Sequence, residues 1–476
     1  MRPRFIALRL PVVMIGFAVM VLAPVSTASS SDLNSPLLLF TVTKRYEALA
    51  WVRGADRFSP DAAIFVQDAN GRHALVPGFA ASADPAVSLD GNSVLFAGKQ
   101  QAQDHWQIWE IELEVAGRSA RIGTVPRRVT SCAEDCVRPF YLPADRIVYA
   151  RKTGGRFVIE AADLVAGRKG SSNIQLTYGL GNYFPTDVLR DGRILFEATY
   201  PLGTKDIPEI YTVYSDGSGV ESYRCDHGRA RYAGRQIASG DVVFASGTGV
   251  SGSGLGRFTS ARAQEVRIPT PAGEYAGDIA ETPSDDWLIA WRPHAKDYFQ
   301  VKRWTPGDSH LASVVAEETA NVVQPTLIID HAVPKRHPSG LHDWPNANLL
   351  CLNAYKSRYK FAAGSIHSVR LYIQNSARIT LLGTALVERD GSFFLQVPTE
   401  QPLQIELLDR SGRTLKREAG WFWMRRGEQR ACVGCHAGPE TAPENAVPMI
   451  LLKSTTPADM TGAKVQAASG GHSIDH

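Results

Sequence analysis

The sequence predicts an all-β protein: a six- or seven-bladed β-propeller followed by a small β-rich domain. Three observations predict it. From about Leu37 to Ile329, short apolar strands alternate with turn residues, and no convincing amphipathic helix interrupts them. One phrase recurs along this stretch at intervals of about 45 to 55 residues, a period typical of propeller blades. Beyond Asn348, strand patterns resume at Leu349–Leu352, Val369–Ile373, Ser392–Val397 and Leu403–Leu408, with turns at Asp390-Gly391 and Ser411-Gly412.

The recurring phrase is a Pro, an apolar pair, Asp-Gly or a near equivalent, an apolar strand, then a second strand closed by a polar turn. It reads Asp84-Pro85 to Asp90-Gly91, then Ser93–Phe96 and Gln107–Ile111. It returns at Arg138-Pro139 with Arg146–Tyr149, and at Phe184-Pro185 with Asp191-Gly192, Arg193–Phe196 and Glu209–Tyr214. Weaker copies lie at Gly240–Phe244 and Asp286–Trp291. Asp-Gly supplies the positive φ of a tight hairpin. A single small sheet cannot bury both faces, and radial packing of several solves that while protecting their edges. A β-sandwich with unrelated hairpins is the alternative. The visible copies account for five blades. The segments near Trp51–Val66 and Val301–Ile329 supply the rest, with ring closure by strands from both ends.

Around this core the expected organisation is a leader over residues 1–28, the propeller over 29–330, a Pro-rich crossing over 331–348, the β-rich domain over 349–456 and a disordered Ser/Gly/Ala-rich tail over 457–476. In the leader, Arg2, Arg4 and Arg9 precede the apolar run Leu10–Leu22 and the small residues Ser26-Thr27-Ala28, the pattern of a cleaved secretory signal. The run is shorter than a bilayer span of about 20 residues, and Pro11 and Pro24 bracket it, which weighs against a membrane anchor. Periplasmic or extracellular localisation follows, with no membrane span after signal removal. The formal charge of +3 is that of the three leader arginines, so the remainder is neutral. A neutral chain without a basic run gives no electrostatic case for nucleic acid.

Cys432-Val433-Gly434-Cys435-His436 is the strongest chemical signal. Two thiols spaced by two residues reach the two vinyl groups of one haem, and the adjacent His supplies an axial imidazole to the iron. Zinc would require a second ligand pair at suitable spacing, and none lies nearby. A redox dithiol would sit in a βαβ setting, which the pattern lacks. The motif therefore predicts one covalent haem c, held by Cys432, Cys435 and His436. Candidates for a second axial ligand are Met424, Met449, Met460, His331, His337, His342 and His367. His337, in a Pro-restrained loop, and Met449, 13 residues beyond the motif, lead them, and an open iron position is the alternative. Trp421-Phe422-Trp423-Met424 is expected to pack against haem, or else to be a buried strand.

Four cysteines remain. Cys132 and Cys136 are spaced to close a small loop; Cys225 and Cys351 are either a staple between the domains or buried thiols. Asp187, Asp191, Asp278, Asp285 and Asp286 read as turn residues chosen for local hydrogen bonding. The Gly/Ser-rich stretch 247–256 lacks the Lys of a phosphate loop.

The propeller phrases resemble TolB/PD40-type repeats. The block Arg138–Cys225, the crossing Lys335-Arg336-His337-Pro338-Ser339, Asp390–Phe394 with Val397-Pro398, and Arg426–Cys432 running on to Ala442–Asn445 resemble hydrazine synthase alpha-subunit-like proteins. The likeness spans nearly all of the chain after the leader and is most specific around the haem motif. It implies a propeller plus a haem domain. That family assigns its nitrogen chemistry to an additional N-terminal haem domain, whereas this sequence has one CxxCH and goes from leader to blades, so the likeness does not imply hydrazine synthesis. The expected function is that of an exported monohaem cytochrome in electron transfer, with the propeller as docking scaffold for a redox partner protein. The alternatives are a haem-dependent oxidoreductase with an open iron site and a binding module with a structural haem.

Overall fold

The structure, a computed structural model, describes residues 37–164, 173–200, 207–224, 228–247, 253–375, 378–418, 420–434 and 445–462. The expected leader, Cys225, Cys435, His436 and residues 463–476 lie outside these.

Six antiparallel sheets follow one another along the chain and form the blades of a propeller. Blade 2 runs through Ala81–Val87, Ser93–Lys99, Gln107–Ala116 and Ser119–Ile122. Blade 3 spans Cys136–Gln175, blade 4 Tyr183–Ser222, blade 5 Arg231–Ile268 and blade 6 Glu274–Val315. Blade 1 is composite. Its strands Leu38–Thr43, Ala63–Asp68 and Gly71–Ala74 are completed by Asn321–Leu327, which pairs with Leu38–Thr43 and closes the ring from both ends. The segment near Trp51–Val66 supplies the strand Ala63–Asp68, while Trp51 itself is on no strand. It lies in the 3-10 turn Ala50–Arg53, its ring stacked 5.1 Å from Phe184 of blade 4.

The apolar runs that marked the repeats are the second strands of their sheets, buried on both faces. Val94–Ala97, Ile147–Ala150, Ile194–Phe196, Val242–Ala245 and Leu288–Ala290 are at most 1% exposed. A strand covered on both sides reads as a continuous apolar run rather than an alternation. Each such Phe or Leu contributes roughly 1.5–3 kcal/mol through burial.

The innermost strands behave differently. Those of blades 1 to 5 carry a bulge, at Ala83/Ala86, Val148/Ala150 opposite Cys136–Leu142, Pro185/Asp187, Tyr232/Arg235 and opposite Leu39/Thr41, and that of blade 6 is broken into Glu274–Tyr275 and Ala280–Glu281. Asp84, Arg138, Ala233, Asp278 and Gln324 have φ between 53° and 58° there, a region that non-glycine residues rarely occupy. The bulges aim polar side chains at the axis.

Beyond the ring, two four-stranded sheets form a sandwich. One orders Gln429–Cys432, Asn346–Cys351, Phe393–Pro398 and Ala458–Asp459; the other Arg378–Leu386, Ser368–Asn375, Leu403–Leu408 and Thr414–Arg417. Leu349, Leu395 and Val397 of the first meet Val369, Leu371, Leu403 and Leu407 of the second in one core. The expectation of a disordered tail from residue 457 is corrected for its first residues. Ala458–Asp459 pairs in parallel with Leu395 and Gln396, and Met460 is 1% exposed in the sandwich core. An apolar Met three residues past Pro457 anchors the chain before the small-residue stretch begins.

Candidate functional site

Cys432 ends the strand Gln429–Cys432, which pairs in parallel with Asn346–Cys351 and places Cys432 in register with Cys351. Leu352 N–H donates to Cys432 O at 2.9 Å, fixing the backbone up to the motif. Cys351 is buried and Cys432 half-buried, packed at the margin of the sandwich core. Gly434 lies so close to the carbonyls of Asn353 and Lys356 that any side chain there would collide with them. The middle of the motif is thus seated on the loop 353–356, whose Tyr355 is packed against the same core. A thiol at a strand end, half-exposed beside apolar and aromatic side chains, suits attachment to a flat apolar macrocycle. Of the three residues expected to hold haem, Cys432 alone lies among the described residues.

The leading candidates for a second ligand sit in different places. Met449 begins the short helix Met449–Lys453, whose first N–H groups are held by the turn after residue 389: Met449 N–H donates to Asp390 Oδ2 at 2.8 Å and Ile450 N–H to Ser392 Oγ at 3.0 Å. Arg389 Nε lies 3.3 Å from Met449 Sδ. Ser392 precedes Phe393, which pairs with Cys351, so this helix start lies roughly two strand spacings, about 10 Å, from the row of Cys432. His337 is on blade 4, its ring stacked 3.7 Å from that of Tyr214. No contact joins it to Cys432 among the described residues. Met424 and Met460 are buried in the sandwich core. His331 N–H donates to Leu89 O, His342 stacks on Trp344, and His367 is bonded into the sheet through Leu408 O.

Two residues of the aromatic run before the motif are buried in the protein's own cores. Trp423 is 1% exposed, belongs to the propeller core, donates Nε1–H to Leu176 O at 3.0 Å and meets Tyr183 edge-on at 5.5 Å. The next residue, Met424, is in the sandwich core. One dipeptide therefore pegs the sandwich into blades 3 and 4. Glu428 reinforces the joint by accepting N–H bonds from Gly219 of blade 4 at 3.0 Å and from Arg425 at 2.7 Å, and an ion pair from Arg430. The motif strand starts from this clamp. Cys132 and Cys136 form a disulfide, with Cα atoms 6.2 Å apart, as their spacing suggested.

The most heavily charged buried region is the propeller axis, which sequence reasoning missed. Arg138 donates bidentately to Asp278 of blade 6, donates Nε–H to Pro185 O of blade 4 at 3.2 Å, and gives its backbone N–H to Asp84 of blade 2 at 3.1 Å. Asp84 also pairs with Arg57 and accepts Gln324 Nε2–H at 2.6 Å. Asp278 was expected in a turn; it is instead an axial ion-pair partner. Burial pushes its carboxyl up, but Arg138 and Arg235 outweigh burial and hold it at about 2. Asp187 is likewise no turn residue: it accepts Gln236 N–H of blade 5 at 2.7 Å. Asp191, by contrast, caps its own hairpin through Arg193 N–H at 3.0 Å, as expected. Glu197 accepts Ala233 N–H, yet burial raises its carboxyl to about 7.

Against known proteins, the family model of the hydrazine synthase alpha subunit middle domain matches residues 355–437, a span that runs from the supporting loop through His436. A solved structure of hydrazine synthase from Kuenenia stuttgartiensis superposes with a TM-score of 0.73 at 16% identity, over 88% of this chain and 72% of that one. Residues 355–437 are thus similar to the alpha-subunit middle domain, and the fold is similar to that of hydrazine synthase. That likeness covers the fold of both the propeller and the sandwich. TolB from Acinetobacter baumannii aligns at 13% identity over 63% of this chain and 67% of its own, with a TM-score of 0.41. No curated protein matches the sequence. No helix among the described residues is long and apolar enough to cross a membrane.

Proposed function

We propose that this hydrazine-synthase-alpha-like chain is an exported c-type cytochrome that passes electrons to or from a redox partner protein. Cys432 and Cys435 hold the haem and His436 ligates its iron. The observation that carries this reading is the Cys432–His436 motif at the end of a clamped sandwich strand, inside the segment matched by the alpha-subunit model. When bound, the haem supplies one-electron redox chemistry. The protein's part is to fix the attachment point. Glu428 and Trp423 brace the motif strand against blade 4, and Gly434 lets the chain turn tightly over residues 353–356. The propeller, rigid through its axial ion pairs, offers a docking platform. Periplasmic location, after removal of the leader, is part of the same reading.

The test is expression with a c-type maturation system, followed by denaturation and acid–acetone extraction. Haem that stays with the protein supports the reading, and Cys435→Ala should leave at most one thioether. Protein that releases all its haem overturns it. A second reading, a haem oxidoreductase with an open iron site, is favoured by the packing of His337 on Tyr214 and of Met449 beside Arg389. A carbon monoxide-sensitive reduced spectrum supports it. If His337→Ala or Met449→Leu shifts the spin state or midpoint potential, that residue is the second ligand.

A further inference from the structure

A cavity of about 490 Å³ opens at one end of the propeller axis, within the size range of small-molecule sites. The chain that leaves blade 1 runs across it. His331 N–H bonds Leu89 O of blade 2 at 2.8 Å, and Lys335 N–H bonds Arg190 O of blade 4 at 2.9 Å. Blade 4 stands opposite blade 1 in a ring of six, so the connection spans the mouth and roofs the cavity. The walls are mixed: Leu89, Ile237, Ile279 and Pro325 form an apolar part, and the charged pair Arg235 and Asp187 faces in with other polar residues, His331 among them.

Arg235 is the anomaly. Its neighbour on the axis, Arg138, is fully engaged, but the Arg235 side chain donates no hydrogen bond among the described residues. Its Nη1 lies 3.7 Å from Asp187 Oδ1 and its Nη2 3.6 Å from Asp278 Oδ1, both beyond hydrogen-bond distance. Its Nε is buried without a partner, and its guanidinium rests 4.9 Å from the centre of the Phe140 ring. Its side chain is 20% exposed, leaving an approach for a ligand. Buried polar groups are ordinarily hydrogen-bonded, so the buried Nε lacks an acceptor, while the Nη groups are ion-paired at long range and placed to donate to a ligand in the cavity. Asp187 is supported by two backbone N–H groups, from Val188 and Gln236. The cavity also carries Arg190, Glu281 and Asp285. A simple anion would meet three carboxylates there, and a simple cation two guanidinium groups.

We propose that the roofed axial cavity binds a small zwitterion with an apolar side chain, an apolar α-amino acid. Its carboxylate bonds the Arg235 guanidinium, its ammonium bonds Asp187, and its side chain lies against Leu89, Ile237, Ile279 and Pro325. The separation of 3.7 Å between the two charged groups is of the order of that between the charged groups of such a ligand. This inference is independent of haem.

The experiment is isothermal titration calorimetry of the full chain with L-phenylalanine and L-leucine, against 3-phenylpropionate, which lacks the ammonium, and phenethylamine, which lacks the carboxylate. An amino acid should bind about tenfold or more tightly than either analogue, because each analogue can engage only one member of the Arg235–Asp187 pair. Arg235→Gln should weaken amino-acid binding by about tenfold or more, and Asp187→Asn should reduce L-phenylalanine to the level of 3-phenylpropionate. Absence of saturable binding by both amino acids overturns the proposal, as does equally tight binding of either analogue. The ligand comparison uses the unmodified protein and so stands even if a variant fails to fold.

Discussion

At the propeller axis, Arg57, Asp84, Arg138, Glu197, Asp278 and Gln324 are each at most 6% exposed, whereas the sandwich is centred on Leu349, Leu371, Leu395, Val397, Leu403, Met424 and Met460. Both regions hold separate sheets together, but by different physics. Apolar packing between two sheets is non-directional and tolerates swaps of similar volume. Ion pairs between blades are directional: Arg138 specifies which atoms of blades 2, 4 and 6 meet, and each charge is buried at a desolvation cost that only its partners offset. The axis therefore fixes geometry more than it adds stability, and a single lesion there should cost more than a pair of matched ones.

The largest expected effect tests that contrast. Arg138→Met takes from the buried Asp278 its bidentate partner and from Asp84 one of its two arginines, and should destabilise the chain by about 3–5 kcal/mol in guanidinium unfolding. Adding Asp278→Leu removes one orphaned charge and should recover a substantial part of that loss. If the double variant is less stable than the single, the axis contributes net stability and the contrast with the sandwich fails. A comparable loss is expected at the joint between the regions. Trp423→Ala empties a buried indole site and removes the bond to Leu176 O, for about 3–5 kcal/mol. Trp423→Phe should recover most of it, because it keeps an aromatic ring beside Tyr183. If Trp423→Ala leaves the unfolding midpoint unchanged, the peg is not what couples the sandwich to the propeller.

Much of the fold was legible because its signals are local. Asp-Gly hairpins and doubly buried runs such as Val94-Leu95-Phe96-Ala97 need only their own strand to be read, as do the sandwich strands with their alternating pattern. The axis was not, because it joins residues up to 240 positions apart, as between Asp84 and Gln324. A partial clue was present: Asp84, Arg138 and Gln324 each stand directly before a Pro, so the recurrent Pro of the repeat marks the residue that turns toward the axis. The edge strand Arg378–Leu386 was missed because its solvent-facing apolar residues break the alternation that marks a half-buried strand. The motif was read from sequence alone, while its supports, Glu428 on Gly219 and Gly434 on Lys356, are tertiary and carry no local signature. Trp423 looked like a haem wall because it lies near the motif in sequence; its partners belong to blades 3 and 4.

The smallest expected effect separates two carboxylates on the same axis. Burial raises Glu197 from an ordinary 4.5 to about 7, so in the window between those values the folded protein holds a proton that the unfolded chain has released. Stability contributed by this residue is therefore highest below pH 4.5, falls as pH rises through the window, and levels off above about 7. Asp278, held at about 2, has the opposite sign: its contribution is present above 3.8 and is lost only as pH falls toward 2. Between pH 5 and 8 the Glu197 term varies and the Asp278 term does not. Glu197→Gln abolishes the titration and keeps an acceptor for Ala233 N–H. The variant should show a flatter stability profile than the parent across pH 5 to 8 and match or exceed it by about 1 kcal/mol at the upper end, after the loss of a charged acceptor is set against relief of desolvation. Guanidinium midpoints taken at intervals across that range measure it. Parallel profiles would mean that Glu197 is ionised throughout, and that Arg138 and Arg57 neutralise it as Arg138 neutralises Asp278.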